Sequence, residues 1–301
     1  MENKVTEIFF YVDEFCNEFN KTITKYQLSN KTSKNKRNKP CRMHDSEVIT
    51  IMILFHLSSY RNIKKFYTCH VLKYMKSEFP KTVSYNRFVE LQQKALLPMT
   101  LFLKMTRLGG CTGISFIDST PLRVCHNKRI FNHKVFEGIA TRGKSTMGYF
   151  FGFKLHIVVN DKGEIIDFVL TAANVDDRAP LKEGNFLDRI FGKLFADKGY
   201  VGKKLFEQLF VNGIHLITGI RKNMKNSLMS TKDKIFLRKR SVIETINDVL
   251  KNICYIEHSR HRSVANFLTN LIAGLLAYSF LPKKPSIRFQ TEQTFGQLAI
   301  F

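Results

Sequence analysis

"GYFFGFKLHIVVNDKGEIIDFVLTAANV", residues 148–175, is the stretch from which the architecture can be read. Aromatic and β-branched residues crowd both halves, and "DKGE" between them supplies a turn, so the stretch predicts two strands of a hairpin. Upstream, "GISFIDST" (113–120) is a short apolar run that ends in an acid, and "KLFADKGY" (193–200) has the same form downstream. "GKKLFEQLFVNG" (202–213) predicts a helix with Gly213 at the C′ position, where a left-handed backbone favours glycine. "IHLITGI" (214–220) follows as a strand and "SVIETINDVLKNI" (241–253) as a helix, with one further helix expected within "DRAPLKEGNFLDRIF" (177–191). Four strands, a helix, a strand and a helix make an α/β layer architecture with a mixed sheet.

The first third has a different texture. "SEVITIMILFHLSSY" (46–60), "NIKKFYTCHVLKYMKSEF" (62–79) and "SYNRFVELQQKALLPMTLFLKM" (84–105) carry helical patterns, with Ser46 placed to cap the first. The basic segment "KTSKNKRNKPCR" (31–42) precedes them. Short helices behind a basic loop suit a DNA-binding module of helix-turn-helix type, and equally suit a helical subdomain with a solvated loop. The change of texture at Gly109-Gly110 divides the chain into a helical region (1–109), an α/β region (110–285) and a tail (286–301).

Composition narrows the partners. In 301 residues, 48 Lys and Arg face 25 Asp and Glu, a net charge of +23, while 44% apolar content and 27 Phe provide for a core. That excess favours a polyanion, with nucleic acid ahead of an anionic membrane. The longest apolar run, "NFLTNLIAGLLAYSFLP" (266–282), is interrupted by Asn and Thr and falls short of the ~20 residues of a spanning helix. The N-terminus "MENKVTEIFFYVDEF" has acids where a secretory signal would be basic. Six scattered cysteines without a C-x-x-C pair suit reduced thiols in a cytoplasmic protein.

Three acids fall at expected element ends: Asp118 closing the first strand, Asp197 closing the fourth, and Glu244 opening the last helix. Each has an ordinary reading: an Asx-turn for Asp118, a turn for Asp197, and a Ser241-x-x-Glu244 capping box. Together they have another. Three carboxylates at one sheet edge need a cation, and Mg²⁺ takes such oxygen ligands. Two such ions ~3.5–4 Å apart serve in-line phosphoryl transfer. At 100° per residue Arg240, Glu244 and Lys251 fall on one stripe of the last helix, placing bases beside the acid, although local ion pairing explains the stripe as well.

These residues resemble a known family. "FIDSTPLRVCHNKRIFNHKVFEGIATRGKSTMGYFFGFKLHIVVND", "DFVLTAANVDDR", "LFADKGYVG" and "LRKRSVIETINDVLKNICYIEHSRHRS" are similar to bacterial insertion-sequence transposases with a DDE active site, over roughly residues 110–285. Arg240, Glu244 and Lys251 match that superfamily's Tyr-x2-Arg-x3-Glu-x6-Lys motif, with Leu237 in place of the tyrosine. The resemblance implies an RNase H-like mixed sheet flanked by helices, with Asp118, Asp197 and Glu244 as catalytic ligands of two Mg²⁺ ions that Mn²⁺ could replace. It further implies cleavage of double-stranded DNA at element ends and joining of the freed 3′-hydroxyl to target DNA. A homodimer on DNA and a nucleoid-associated location go with it. Arg240 and Lys251 become DNA contacts by the same analogy. Lys198, Arg238 and Lys239 are further expected contacts, and so, by charge, are Arg142 and Lys144. A nuclease of the same fold without strand transfer and an inactive DNA-binding relative are the alternatives.

Other patterns compete. "GIATRGKS" (138–145) fits the phosphate-loop pattern G-x4-G-K-S, but the residues after Ser145 have strand character and offer no helix N-terminus, so a basic loop is expected. Asp176 and Asp177 are read as caps of the next helix, with extra metal ligation as the alternative. His156 is read as a half-buried core histidine. The run 220–240, eight positive charges to one acid, is either a solvated loop or a DNA contact.

Overall fold

A computed structural model describes residues 2–26, 41–182, 185–219, 229–257 and 261–287. Most of the basic segment 31–42 and residues 220–228 of the second basic run lie outside these. Six helices come first: α1 (Glu2–Tyr26), α2 (Asp45–Leu57), α3 (Ile63–Lys65), α4 (Leu72–Tyr74), α5 (Tyr85–Lys94) and α6 (Leu96–Phe102). The strands are β1 (Ile114–Cys125), β2 (Thr141–Ser145), β3 (Gly148–Asn160), β4 (Ile165–Ala172), β5 (Gly192–Ala196) and β6 (Ile214–Thr218). Interspersed are α7 (Ala179–Lys182) and α8 (Lys203–Val211), and after β6 come α9 (Thr231–Lys239), α10 (Ser241–Asp248) and α11 (Val264–Ser279).

The strands form one mixed sheet in the order β2-β3-β1-β5-β6, with β4 also paired to β3. The expected hairpin is β3 and β4, antiparallel around the Asp161–Glu164 turn. β1 pairs antiparallel with β3 and parallel with β5, and β5 pairs parallel with β6 through α8. Period-2 alternation sorts side chains between the two faces. Phe116, Leu155, Ile157 and Phe195 face the cluster that takes in α2, α10 and α11. Ile117, Val158, Leu194 and Ala196 face a second cluster with Leu205 and Leu209 of α8. Gly213, at φ +75°, closes α8 as expected.

Several local expectations change. Asp118 does not close β1. The strand runs seven residues further along β3 because only its other neighbour, β5, stops, the parallel register ending at Phe116–Phe195. Beyond that point β1 has a free edge, which is where a proline without an N–H can sit, and Pro121 occupies it. His44, not Ser46, precedes α2 as its N-cap, and the Glu47 carboxylate accepts from the His44 N–H at 2.7 Å. The capping box at Ser241 does not form, because α9 runs into α10 with Arg240 as a helical junction. The described end of the second basic run is thus helix, not loop. Residues 141–145 are β2, so the phosphate-loop look-alike opens no helix.

α2 is buried on all sides from Ser46 to His56 and packs on α1, α5 and α11. It cannot present a recognition face to DNA. The core it joins continues into the sheet across Gly109-Gly110.

Candidate active site

Asp118 sits on β1 where β5 ends, and Asp197 follows the last residue of β5. The parallel pairing of these two strands carries both acids to the same end of the sheet. α10 reaches them because Ile243, Ile246 and Leu250, all fully buried, dock it over β1. That spacing leaves Glu244 at the margin of the packed face and Asn247, one turn on, beneath it. Asn247 donates from Nδ2 to Asp118 Oδ2 at 3.0 Å. Arg240 Nη2 lies 2.9 Å from Glu244 Oε1 and 3.7 Å from Asp197 Oδ1, so one guanidinium spans two of the three acids. Glu244 therefore does not cap.

Electrostatics tie the third acid to these two. Burial pushes the Asp118 carboxyl up to about 6, with Arg240 and the Ser119 N–H opposing the rise and the charges of Glu244 and Asp197 adding to it. A desolvated carboxylate among like charges favours either a proton or a cation. Asn247 Oδ1 is buried and accepts no hydrogen bond within the described protein. Three carboxylates and this unpartnered amide oxygen are the hard donors a magnesium-like ion takes. Among the described residues, no three His, Cys, Asp or Glu side chains are arranged to hold a metal as they stand. The donor chemistry is of the kind a divalent ion takes, and Arg240 lies between Asp197 and Glu244.

The opposite face of β1 carries a second polar group. Ser119 donates to Asp177 Oδ1 at 3.0 Å, and Lys154 Nζ lies 2.9 Å from the same oxygen while donating to the Val175 carbonyl. Asp176 receives both the backbone N–H and the guanidinium of Arg178, which hold its carboxyl well below the usual range. Asp176 thus engages Arg178 just before α7, where the pair was read as helix caps, and Asp177 faces β1. His156 is fully buried and bonded to Thr171 Oγ1 at 2.9 Å, and burial holds its imidazole down to about 4. It is a core histidine.

The remaining basic residues separate. Lys251 donates to the Pro121 carbonyl at 2.6 Å and lies 3.5 Å from Glu257, so it braces the free edge of β1. It lies in a π-turn, closed by the Cys254 N–H to the Val249 carbonyl, which breaks the straight-helix stripe and leaves Ile253 exposed. Lys198 lies along Gly219 at the end of β6, and Arg238 and Lys239 occupy the last turn of α9. Arg142 and Lys144 are exposed on β2, away from α10. Leu237, at the tyrosine position of the motif, packs against the core. Asn247 was missed in the sequence, although its place three residues after Glu244 was a usable signal.

A family profile described as a transposase DDE domain matches residues 108–264, more than half of the chain. The chain belongs to that family. Its fold is similar to that of the piggyBac transposase in a synaptic complex with hairpin DNA. The TM-score is 0.50 at 10% identity, over 91% of this chain and 71% of that one. The Mos1 transposase in a paired-end complex with its left transposon end aligns over 87% of this chain and 84% of that one, at 12% identity, with a TM-score of only 0.24. No curated protein matches. The family membership and the sheet together make this a DDE-superfamily transposase with an α/β core and N-terminal helices. Among the described residues no helix is long and apolar enough to cross a membrane.

Proposed function

We propose that the protein cuts DNA at the ends of a mobile element and joins the freed 3′-hydroxyl to a target strand, with Asp118, Asp197 and Glu244 as the reacting centre. The observation that carries this reading is the gathering of these acids at one end of β1 and β5, around Arg240 and against α10. The three carboxylates, with Asn247 Oδ1, would hold divalent ions, which supply charge neutralisation and activation of the attacking oxygen. In the first step a water oxygen bonds to phosphorus and the bond to the 3′-oxygen breaks. In the second, that 3′-oxygen attacks a target phosphodiester and displaces another 3′-oxygen.

The protein's own groups prepare this. Asn247 fixes the rotamer of Asp118 by its hydrogen bond, and Lys251 braces the strand that carries it. With a divalent ion held by the acids, Arg240 would be available to a backbone phosphate beside them. The net charge of +23 supplies long-range attraction to DNA. We assign residues 110–285 to the catalytic unit and 1–109 to a helical accessory region whose DNA contacts come from surfaces other than α2. The piggyBac neighbour, a synaptic complex with hairpin DNA, supports double-stranded DNA as partner, and a dimer bridging two ends is part of the proposal.

The test is a joining assay. The protein is incubated with Mg²⁺ or Mn²⁺, supercoiled plasmid and a pool of duplexes with varied 3′-hydroxyl ends, and joined products are sequenced. Joining is expected, and Asp118→Asn, Asp197→Asn or Glu244→Gln should each reduce it by about 10³-fold or more. Nicking without joining points to a nuclease, and binding without either reaction to an inactive relative.

A further inference from the structure

The hairpin of β2 and β3 carries a surface that the carboxylate centre does not use. Gly143 is buried against Ala173, where a Cβ would meet the Ala173 carbonyl at 2.3 Å, so alternation turns its neighbours Arg142 and Lys144 outward. Lys144 pairs in register with Tyr149, and its Nζ lies 5.8 Å from the centre of that ring. Arg142 lies 5.4 Å from the ring of Phe131, on the turn of 3₁₀ helix Asn127–Asn132. Asn127 ties that turn to the hairpin by donating to the Tyr149 carbonyl at 2.8 Å. The two rings are not core residues: Phe131 is 87% and Tyr149 67% exposed.

Beside Tyr149 lies an open groove of about 790 Å³, lined by Arg142, Lys144, Tyr149, Lys154, Asp177 and Gly199. Asp177 is hydrogen-bonded to Ser119, next to Asp118, and Gly199 is two residues from Asp197. The groove therefore runs from Tyr149 to the face of β1 opposite Asp118, where Ser119 holds Asp177. Its two acids are already engaged, Asp176 by Arg178 and Asp177 by Lys154, which leaves a positive surface for an anionic occupant.

We propose that this face binds unpaired DNA nucleotides, with bases stacked on Phe131 and Tyr149 and phosphates held by Arg142 and Lys144. Interleaved rings and cations recognise a single strand, because a base offers its π-face only when it is out of the duplex stack. Paired DNA gains from the cations but has no use for the rings. The occupant is a DNA strand melted from its complement. This inference rests on the proposed transposase reading.

The experiment is binding without metal. Fluorescence anisotropy in EDTA compares a labelled oligodeoxythymidine with a blunt duplex of equal length. The variants are Phe131→Ala, Tyr149→Ala, and the ring-preserving pair Phe131→Trp and Tyr149→Phe. Each alanine variant is expected to weaken oligodeoxythymidine binding roughly 5- to 150-fold, the range of one base–aromatic stack, and duplex binding less than about twofold. The ring-preserving variants should retain single-strand affinity. Equal loss on both DNAs, or no loss on the single strand, would overturn the inference. Wild-type protein that binds duplex but not oligodeoxythymidine refutes this site alone. Protein that binds neither refutes the transposase reading with it.

Discussion

Half-buried Asp118 and buried His156, neighbours in the sheet, are shifted in opposite senses, and mutation separates their contributions. Asp118 is raised from 3.8 to about 6, so the folded protein holds this proton more tightly than the unfolded chain. Its contribution to stability is full below pH ~4 and lost as pH rises through about 6. His156 is lowered from 6.5 to about 4, so the unfolded chain takes up the proton first. Its contribution is full above the unfolded value and lost as pH falls from 6.5 toward 4. Between pH 7.5 and 4.5 the linkage relation gives a gain of about 2 kcal/mol from Asp118 and a loss of about 2.5 kcal/mol from His156. Their net is small. Urea unfolding in EDTA at the two pH values reads the slopes. Asp118→Asn removes the gain, so its stability should fall on acidification by about 2 kcal/mol more than that of wild type. His156→Gln removes the loss, and its slope should shift by about 2.5 kcal/mol the other way. The reasoning concerns slopes, so a constant offset from altered packing does not matter. An Asp118→Asn slope within about 0.5 kcal/mol of wild type would show that Asp118 titrates normally. The case for a desolvated, cation-seeking carboxylate would go with it.

Two further substitutions probe the same frame. Arg240→Met removes the charge that opposes the rise at Asp118, so the Asp118 titration, followed by carboxyl NMR in metal-free protein, should move upward from about 6. An unmoved titration would place Arg240 outside the cluster. Gly152→Ala places a Cβ 2.0 Å from the Leu122 carbonyl at a φ of +154°, beside the irregularity of β1 at Arg123–Cys125. It should cost about 3 kcal/mol or more in urea unfolding, and a cost under about 1 kcal/mol would mean that the two strands are not in this register.

The sheet was legible because its strands advertise themselves locally. "GYFFGFKLHIVVN" and "IIDFVLTAA" carry β-branched and aromatic residues around one turn, and the structure pairs them as read. The acids were legible as element ends, and two of the three are. What escaped were features set by partners distant in sequence. Whether β1 stops at Asp118 depends on β3 continuing beside it, which nothing in "FIDST" records. Whether Glu244 caps α10 depends on α9 running straight into it, so that Arg240 takes the carboxylate first. The enclosure of α2 was hidden for a related reason. Its pattern is apolar on every side, and only tertiary packing against α1, α5 and α11 shows what surrounds it.

Arg240 brings these points together. Its side chain is only 17% exposed, and it is shared between Asp197 and Glu244 in a cluster that also raises Asp118. Arg240 bridges Asp197 and Glu244 and its charge also acts on Asp118, yet desolvation outweighs it there. Asp118 instead receives a neutral amide and the backbone N–H of Ser119, and the amide's own oxygen is left unpartnered. On the proposed function, Asp118, Asp197 and Glu244 would hold a divalent ion, and its charge would relieve the elevated carboxyl while Asn247 keeps Asp118 in place.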